Sequence, residues 1–155
     1  MSVLNKVKFV AAAGVFIMST TAVYAKDVNI RVQSVLGIKS DEVHMLKSFA
    51  KDVHDLTDGS VTIEILPGGS VVGNTDIIDA IDAGLLDGGF AWTHYWGGKH
   101  PAANLFGAPI AGAGVGLDNI AFLSWFQYGG GKELYDRLWG EMGVNVKGFM
   151  LPVSY

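Results

Sequence analysis
A chain of 155 residues that is 50% hydrophobic and 17% charged holds enough apolar side chains for a packed core, which excludes a disordered protein. Its formal charge of −4, with no block of Lys and Arg, excludes the electrostatics of a nucleic-acid binder. The lack of any cysteine excludes a disulfide framework, and at this size a packed core replaces one.

The first 25 residues have the order of an export leader: Lys6 and Lys8, then the uncharged run Phe9 to Met18, then small side chains ending in Val23 and Ala25. A membrane anchor is the competing reading, but a spanning helix needs about 20 apolar residues and this run is about half as long. The division expected is a signal peptide over 1–25 and one α/β unit over 26–155, located outside the cytoplasmic membrane. Without Lys6 and Lys8 that unit carries 9 basic against 15 acidic side chains, a net charge of −6.

Val28, Ile30 and Val32 alternate with Asn29, Arg31 and Gln33, the period of a strand with one buried face. Ser40 reads as the N-cap of a helix whose first turn holds Asp41 and Glu42. That helix places Leu46, Phe49, Ala50, Val53 and Leu56 on its inner side and stops at Asp58-Gly59. Val61, Ile63 and Ile65 form a second strand, closed by Pro67-Gly68-Gly69. A cap at Thr75 is expected to open a short helix with Ile77, Ile78 and Ile81, ended by Gly84. Gly88 to Trp92 lacks polar alternation and suits a third strand buried on both faces. The order β-α-β-α-β predicts a mainly parallel sheet with flanking helices and right-handed crossovers.

From Trp96 to Gly116 the chain is loop-like. Asp118 caps a helix through Phe122, Leu123 and Phe126; Gly129-Gly130-Gly131 breaks it, and Lys132 to Met142 forms another. Val144 to Leu151 reads as a further strand. Pro152-Val153-Ser154-Tyr155 follows it directly, with no terminal helix or polar tail, and reads as the end of a truncated piece.

Catalytic signatures fail. Gly112 to Leu117 approaches a dinucleotide glycine run but lacks its final glycine and follows a loop, and Gly68-Gly69-Ser70-Val71-Val72 misses a serine elbow at Val72. His44 and His54 are ten residues apart on one helix, too far to share an ion, while His94 and His100 lack neighbouring ligands at zinc-like spacing. Asp76, Asp79 and Asp82 read as a solvated acidic face. The remaining run, Trp92-Thr93-His94-Tyr95-Trp96-Gly97-Gly98, follows the third strand at its carboxyl end, where open parallel sheets place a ligand crevice. Aromatic walls with a few hydrogen-bonding groups are how small-molecule sites are built; the competing reading for Trp92 is core filler.

On these residues the chain resembles the solute-binding subunits of TRAP (tripartite ATP-independent periplasmic) transporters, the DctP-like proteins. The likeness is nearest to the branch that takes 2-oxo acids and other monocarboxylates. The landmarks are Asp58-Gly59, Pro67-Gly68-Gly69-Ser70 with Gly73, Asp79 to Gly84 leading to Asp87, Tyr95-Trp96-Gly97 with Pro101, and Gly129 to Tyr135. The resemblance implies the first lobe of a two-lobed periplasmic binding protein, truncated, with no enzymatic activity. It implies capture of a small organic acid for a sodium-driven membrane permease, with a homodimer as a further expectation. The alternatives are a ligand-sensing domain of a receptor and, further off, an exported enzyme.

The ligand-binding residues implied are His94, Tyr95, Ser34, Trp96 and Ser154. His94 or Tyr95 stands where the branch has a tyrosine, and a histidine there makes affinity pH-sensitive, because imidazole titrates near physiological pH. Ser154 lies in a loop where an asparagine is common. The arginine that clamps the carboxylate, and the groups through which a cation assists, are expected beyond Tyr155. Arg31 and Arg137 match neither role.

Overall fold
The computed structural model describes residues 27–107 and 118–150. The leader, the glycine run 112–117 and Ser154 therefore lie outside the described residues.

Three parallel strands form one sheet in the order β2-β1-β3, with β1 (Val28–Ser34) in the middle, β2 (Val61–Leu66) on one side and β3 (Gly88–Phe90) on the other. The register pairs Val28 with Val61 and Val32 with Gly88. The predicted β-α-β-α-β order and parallel sheet are thus what the chain adopts.

Helix α1 (Asp41–Leu56) joins β1 to β2 and packs on β2. The Ser40 hydroxyl accepts from the Val43 N–H at 3.3 Å, the expected cap. At the other end Asp58 and Gly59 take φ of +49° and +80°, a left-handed turn that few side chains tolerate. Thr57 seals that corner, its hydroxyl donating to the Val53 carbonyl at 2.8 Å and accepting from the Val61 N–H at 3.1 Å. The inner side of α1 is narrower than its periodicity suggests. Val43 and Ala50 are buried, but Met45, Phe49 and Leu56 are exposed.

Helix α2 (Ile77–Asp82) follows a 3₁₀ turn at Asn74–Asp76, and its Ile77, Ile78 and Ala80 enter the core. The expected cap at Thr75 does not form: the turn moves the helix start onward, and the Thr75 hydroxyl faces Asp76 at 3.4 Å. A second 3₁₀ turn, Thr93–Trp96, and a short helix α3 (Ala103–Phe106) occupy part of the expected loop. Helices α4 (Asn119–Tyr128) and α5 (Gly131–Glu141) then pack together, α4 capped by Asp118, whose carboxylate accepts from the Ala121 N–H at 2.7 Å.

Three further expectations are corrected. The third strand is three residues long and only half-buried, because among the described residues β3 pairs with β1 alone. Residues 144–150 are not a strand; they run without ladder pairing. Gln33, placed by alternation on the polar face, is fully buried, and Val28 of the apolar set is 46% exposed. The core gathers instead around Ile77, Ile78, Leu86, Trp96, Phe106, Phe126, Tyr135, Leu138 and Trp139, on the α2, α4 and α5 side of β3.

Candidate functional site
The carboxyl ends of the three strands lie side by side, and each is followed by a segment fixed to its neighbour. Gln33 does most of this. Its side-chain amide donates to the Val72 carbonyl at 2.9 Å, and its oxygen accepts from the Val71 and Val72 N–H groups at 2.9 and 3.1 Å. A buried amide with all these bonds made is stabilising, whereas the same group unpaired is costly. The loop after β2 is further tied to the chain after β1 by the Gly68 N–H on the Leu36 carbonyl (2.8 Å) and the Asn74 amide on the Val35 carbonyl (3.2 Å).

After β3 comes the turn Thr93–Trp96. In a 3₁₀ turn residues i and i+3 share a face, and here Thr93 and Trp96 are buried while His94 is exposed and Tyr95 half-exposed. Thr93 bonds the Tyr135 hydroxyl at 2.9 Å, and the Trp96 indole N–H donates to the Thr75 carbonyl at 3.0 Å. His94 is held by three contacts. Its Nδ1 meets the Gly107 carbonyl at 2.5 Å, and its ring stacks between Trp92 (centroids 6.4 Å, 25°) and Tyr95 (5.1 Å, 20°). Gly107 has to be glycine, since a Cβ there would stand 1.9 Å from the His94 backbone nitrogen. With Nδ1 donating to a carbonyl, Nε2 is the ring nitrogen left for a ligand.

Of the expected site residues, the structure brings His94 and Tyr95 together at the end of β3. Ser34 is at the carboxyl end of β1, but it is fully buried and its hydroxyl accepts from the Leu36 N–H at 2.9 Å. Trp96 is 5% exposed, with its one polar group committed to Thr75. Gln33 and Gly107 were not anticipated. No period-two reading finds a strand-end glutamine turned inward, and nothing local marks a glycine 13 positions from the histidine it accommodates.

Several other charged side chains are paired at the surface. The Arg31 guanidinium donates to the Leu85 carbonyl at 3.2 Å and lies 3.9 Å from Glu64; Arg137 lies 3.2 Å from Glu141. Asp79 pairs with Lys99 at 2.9 Å, and Asp82 accepts the Asn145 N–H at 2.8 Å. Among the described residues no three His, Asp or Glu side chains converge to hold a metal ion. Burial pushes the Tyr135 phenol above its ordinary range, partly offset by the Thr93 hydrogen bond.

Residues 33–145 match bacterial extracellular solute-binding protein family 7, the DctP family. The chain belongs to that family. It is 26% identical over 98 residues to a monocarboxylate 2-oxoacid-binding periplasmic protein of Nostoc sp., covering 63% of this chain and 26% of that one. Among solved structures it is similar to a TRAP periplasmic solute-binding protein of Rhodobacter sphaeroides in an apo open state (33% identity, TM-score 0.60, 74% of this chain and 36% of that one). It is also similar to one from Pseudoalteromonas atlantica with bound sodium and pyruvate (25% identity, TM-score 0.59, 76% and 35%). The chain thus spans about a third of the length of these structures and about a quarter of the Nostoc protein. No described helix of this family 7 chain is long and apolar enough to cross a membrane.

Proposed function
We propose that this chain supplies one wall of a solute-binding protein that captures a small organic acid of the 2-oxo class outside the cytoplasmic membrane. In this reading it passes the acid to a TRAP permease, and residues 1–25 direct export. The observation that carries the reading is the turn after β3, which buries Thr93 and Trp96 while presenting His94 and Tyr95 at the carboxyl edge of a parallel sheet. Membership of a solute-binding family and a relative named for 2-oxoacids support it.

A binding wall needs a fixed edge and donors, not a nucleophile, and Gln33, Asn74 and Gly107 fix this one. The protein's negative charge opposes an anion, so local donors have to supply the attraction. With the Nδ1 proton given to the Gly107 carbonyl, His94 supplies one through Nε2 when its ring carries both protons. The carboxylate clamp and any assisting cation come from the opposing lobe, and Ser154 belongs to the same rim.

The test is calorimetric titration of pyruvate into the polypeptide carrying both lobes, with lactate and succinate as comparisons. Binding of pyruvate is expected, and His94→Ala should weaken it roughly 10- to 100-fold, the weight of a hydrogen bond to a charged group, with the protein still folded. Heat changes indistinguishable from buffer for every organic acid would remove the assignment. Unaltered affinity in His94→Ala would remove His94 from it.

A further inference from the structure
A carbonyl oxygen accepts and never donates, so the 2.5 Å contact between His94 Nδ1 and the Gly107 carbonyl sets the tautomer of the imidazole. Nδ1 carries a proton whether the ring is neutral or charged. Nε2 has no hydrogen-bond partner among the described residues and takes the whole change: it accepts when the ring is neutral and donates when the ring is charged. Turning the ring over would put a carbon where Nδ1 stands and lose the Gly107 contact. The Trp92 and Tyr95 rings, with centroids 6.4 and 5.1 Å away, hold its plane. Tyr95 has no such bias, because a phenol hydroxyl donates or accepts as its partner requires.

The titratable groups around this turn are engaged elsewhere. Helix α3, packed on it, carries none. The 3₁₀ turn before α2 brings Asp76, whose carboxylate meets the Thr75 hydroxyl, and α5 brings Tyr135, bonded to Thr93 on the buried side. Lys99 and His100, just beyond, pair with Asp79 and Glu141. Among the described residues none of these is hydrogen-bonded to His94.

A 2-oxo acid offers only acceptors, a carbonyl and a carboxylate. A 2-hydroxy acid offers a hydroxyl, which donates as well as accepts. In the solute-binding reading the carboxylate clamp lies on the opposing lobe, so the 2-substituent is what meets His94. A neutral Nε2 against a carbonyl sets lone pair against lone pair; against a hydroxyl it accepts a hydrogen bond. Resting on that reading, we propose that His94 is the residue that discriminates 2-oxo from 2-hydroxy acids, and that its charge sets the choice. The charged ring takes both acids, and the neutral ring favours the 2-hydroxy acid.

The test is calorimetric titration of pyruvate and of lactate into the polypeptide carrying both lobes, at about pH 5.5 and about pH 8.5, on either side of the imidazole range. Both carboxylates stay ionised throughout. At the higher pH pyruvate is expected to lose about tenfold or more in affinity, and lactate no more than about threefold. In His94→Gln, whose amide holds a donor and an acceptor at every pH, neither acid should change by more than about threefold. Nitrogen-15 spectra of histidine-labelled protein, with the His94 signal assigned by its loss in His94→Gln, should show the neutral ring protonated at Nδ1. A neutral ring protonated at Nε2 overturns the proposal with no acid present. Equal losses for the two acids, no loss for pyruvate, lactate bound at neither pH, or an undiminished pyruvate loss in His94→Gln overturns it too, and leaves the solute-binding reading in place while pyruvate binds. Heat from neither acid at either pH removes both.

Discussion

Replacing Gln33 by leucine keeps the side chain's approximate volume and removes every polar bond it makes. The Val71 and Val72 N–H groups and the Val72 carbonyl then lose their partners at the base of the loop after β2. A loss of about 2–3 kcal/mol is expected, less than the sum for fully buried orphans because water reaches the loop. Urea unfolding followed by circular dichroism checks it, and a loss below about 0.5 kcal/mol would mean the loop is held by other contacts. At this scale the sequence was partly legible. The position of His94 and Tyr95 at the end of β3 could be read because the run that carries them directly follows a strand. Gln33 could not, because alternation assumes a strand whose two faces differ along its whole length. At the carboxyl end of β1 both faces are covered, one of them by the loop that Gln33 itself binds.

The elements whose ends carry a chemical signal are the ones that alternation and capping rules place correctly. Ser40 and Asp118 sit where helices begin because each offers an oxygen to an N–H that the helix leaves free. Ser40→Ala and Asp118→Ala should each cost about 1 kcal/mol, measured as a drop in denaturation midpoint with unchanged slope. An unchanged midpoint in either would show that solvent caps that helix equally well. Thr75 has the same chemistry but is bypassed, since a 3₁₀ turn delivers the chain to α2 already bent. Residues 144–150 show the limit from the other side. Their period-two pattern is present in the burial, but a strand is a pairing, and a pairing depends on a second segment that a local pattern does not contain.

For the molecule as a whole, the alternation of strands and helices was enough to give the parallel sheet, because right-handed crossovers leave few other arrangements. What it did not give is where the core lies. The aromatic cluster of Trp96, Phe106, Phe126, Tyr135 and Trp139 joins four helical segments: the turn Thr93–Trp96, α3, α4 and α5. Tyr135 at its centre makes the cluster's stability depend on alkaline pH. Its phenol titrates higher folded than unfolded, chiefly through burial. Below about pH 10 both states hold the proton and stability is constant. As pH rises past that value the unfolded chain ionises first and is favoured, so stability falls until the folded phenol also ionises. Tyr135→Phe is expected to flatten this alkaline limb while lowering stability at neutral pH through the lost Thr93 bond. A denaturation series from pH 8 to 11 on both proteins measures it; parallel curves would show that another group governs the limb.

The placement of β1 between its two neighbours has a temporal side. It is the earliest of the three strands to be synthesised, yet Val32 must wait for Gly88 before its second edge is covered. At ribosomal speeds of about 5–20 residues per second that interval is roughly 3–11 s. A nascent chain whose central strand has one edge bare for so long is exposed to misassembly along that edge. Asn29 and Arg31, polar and outward on that ribbon, are side chains of the kind that disfavours association of a bare strand.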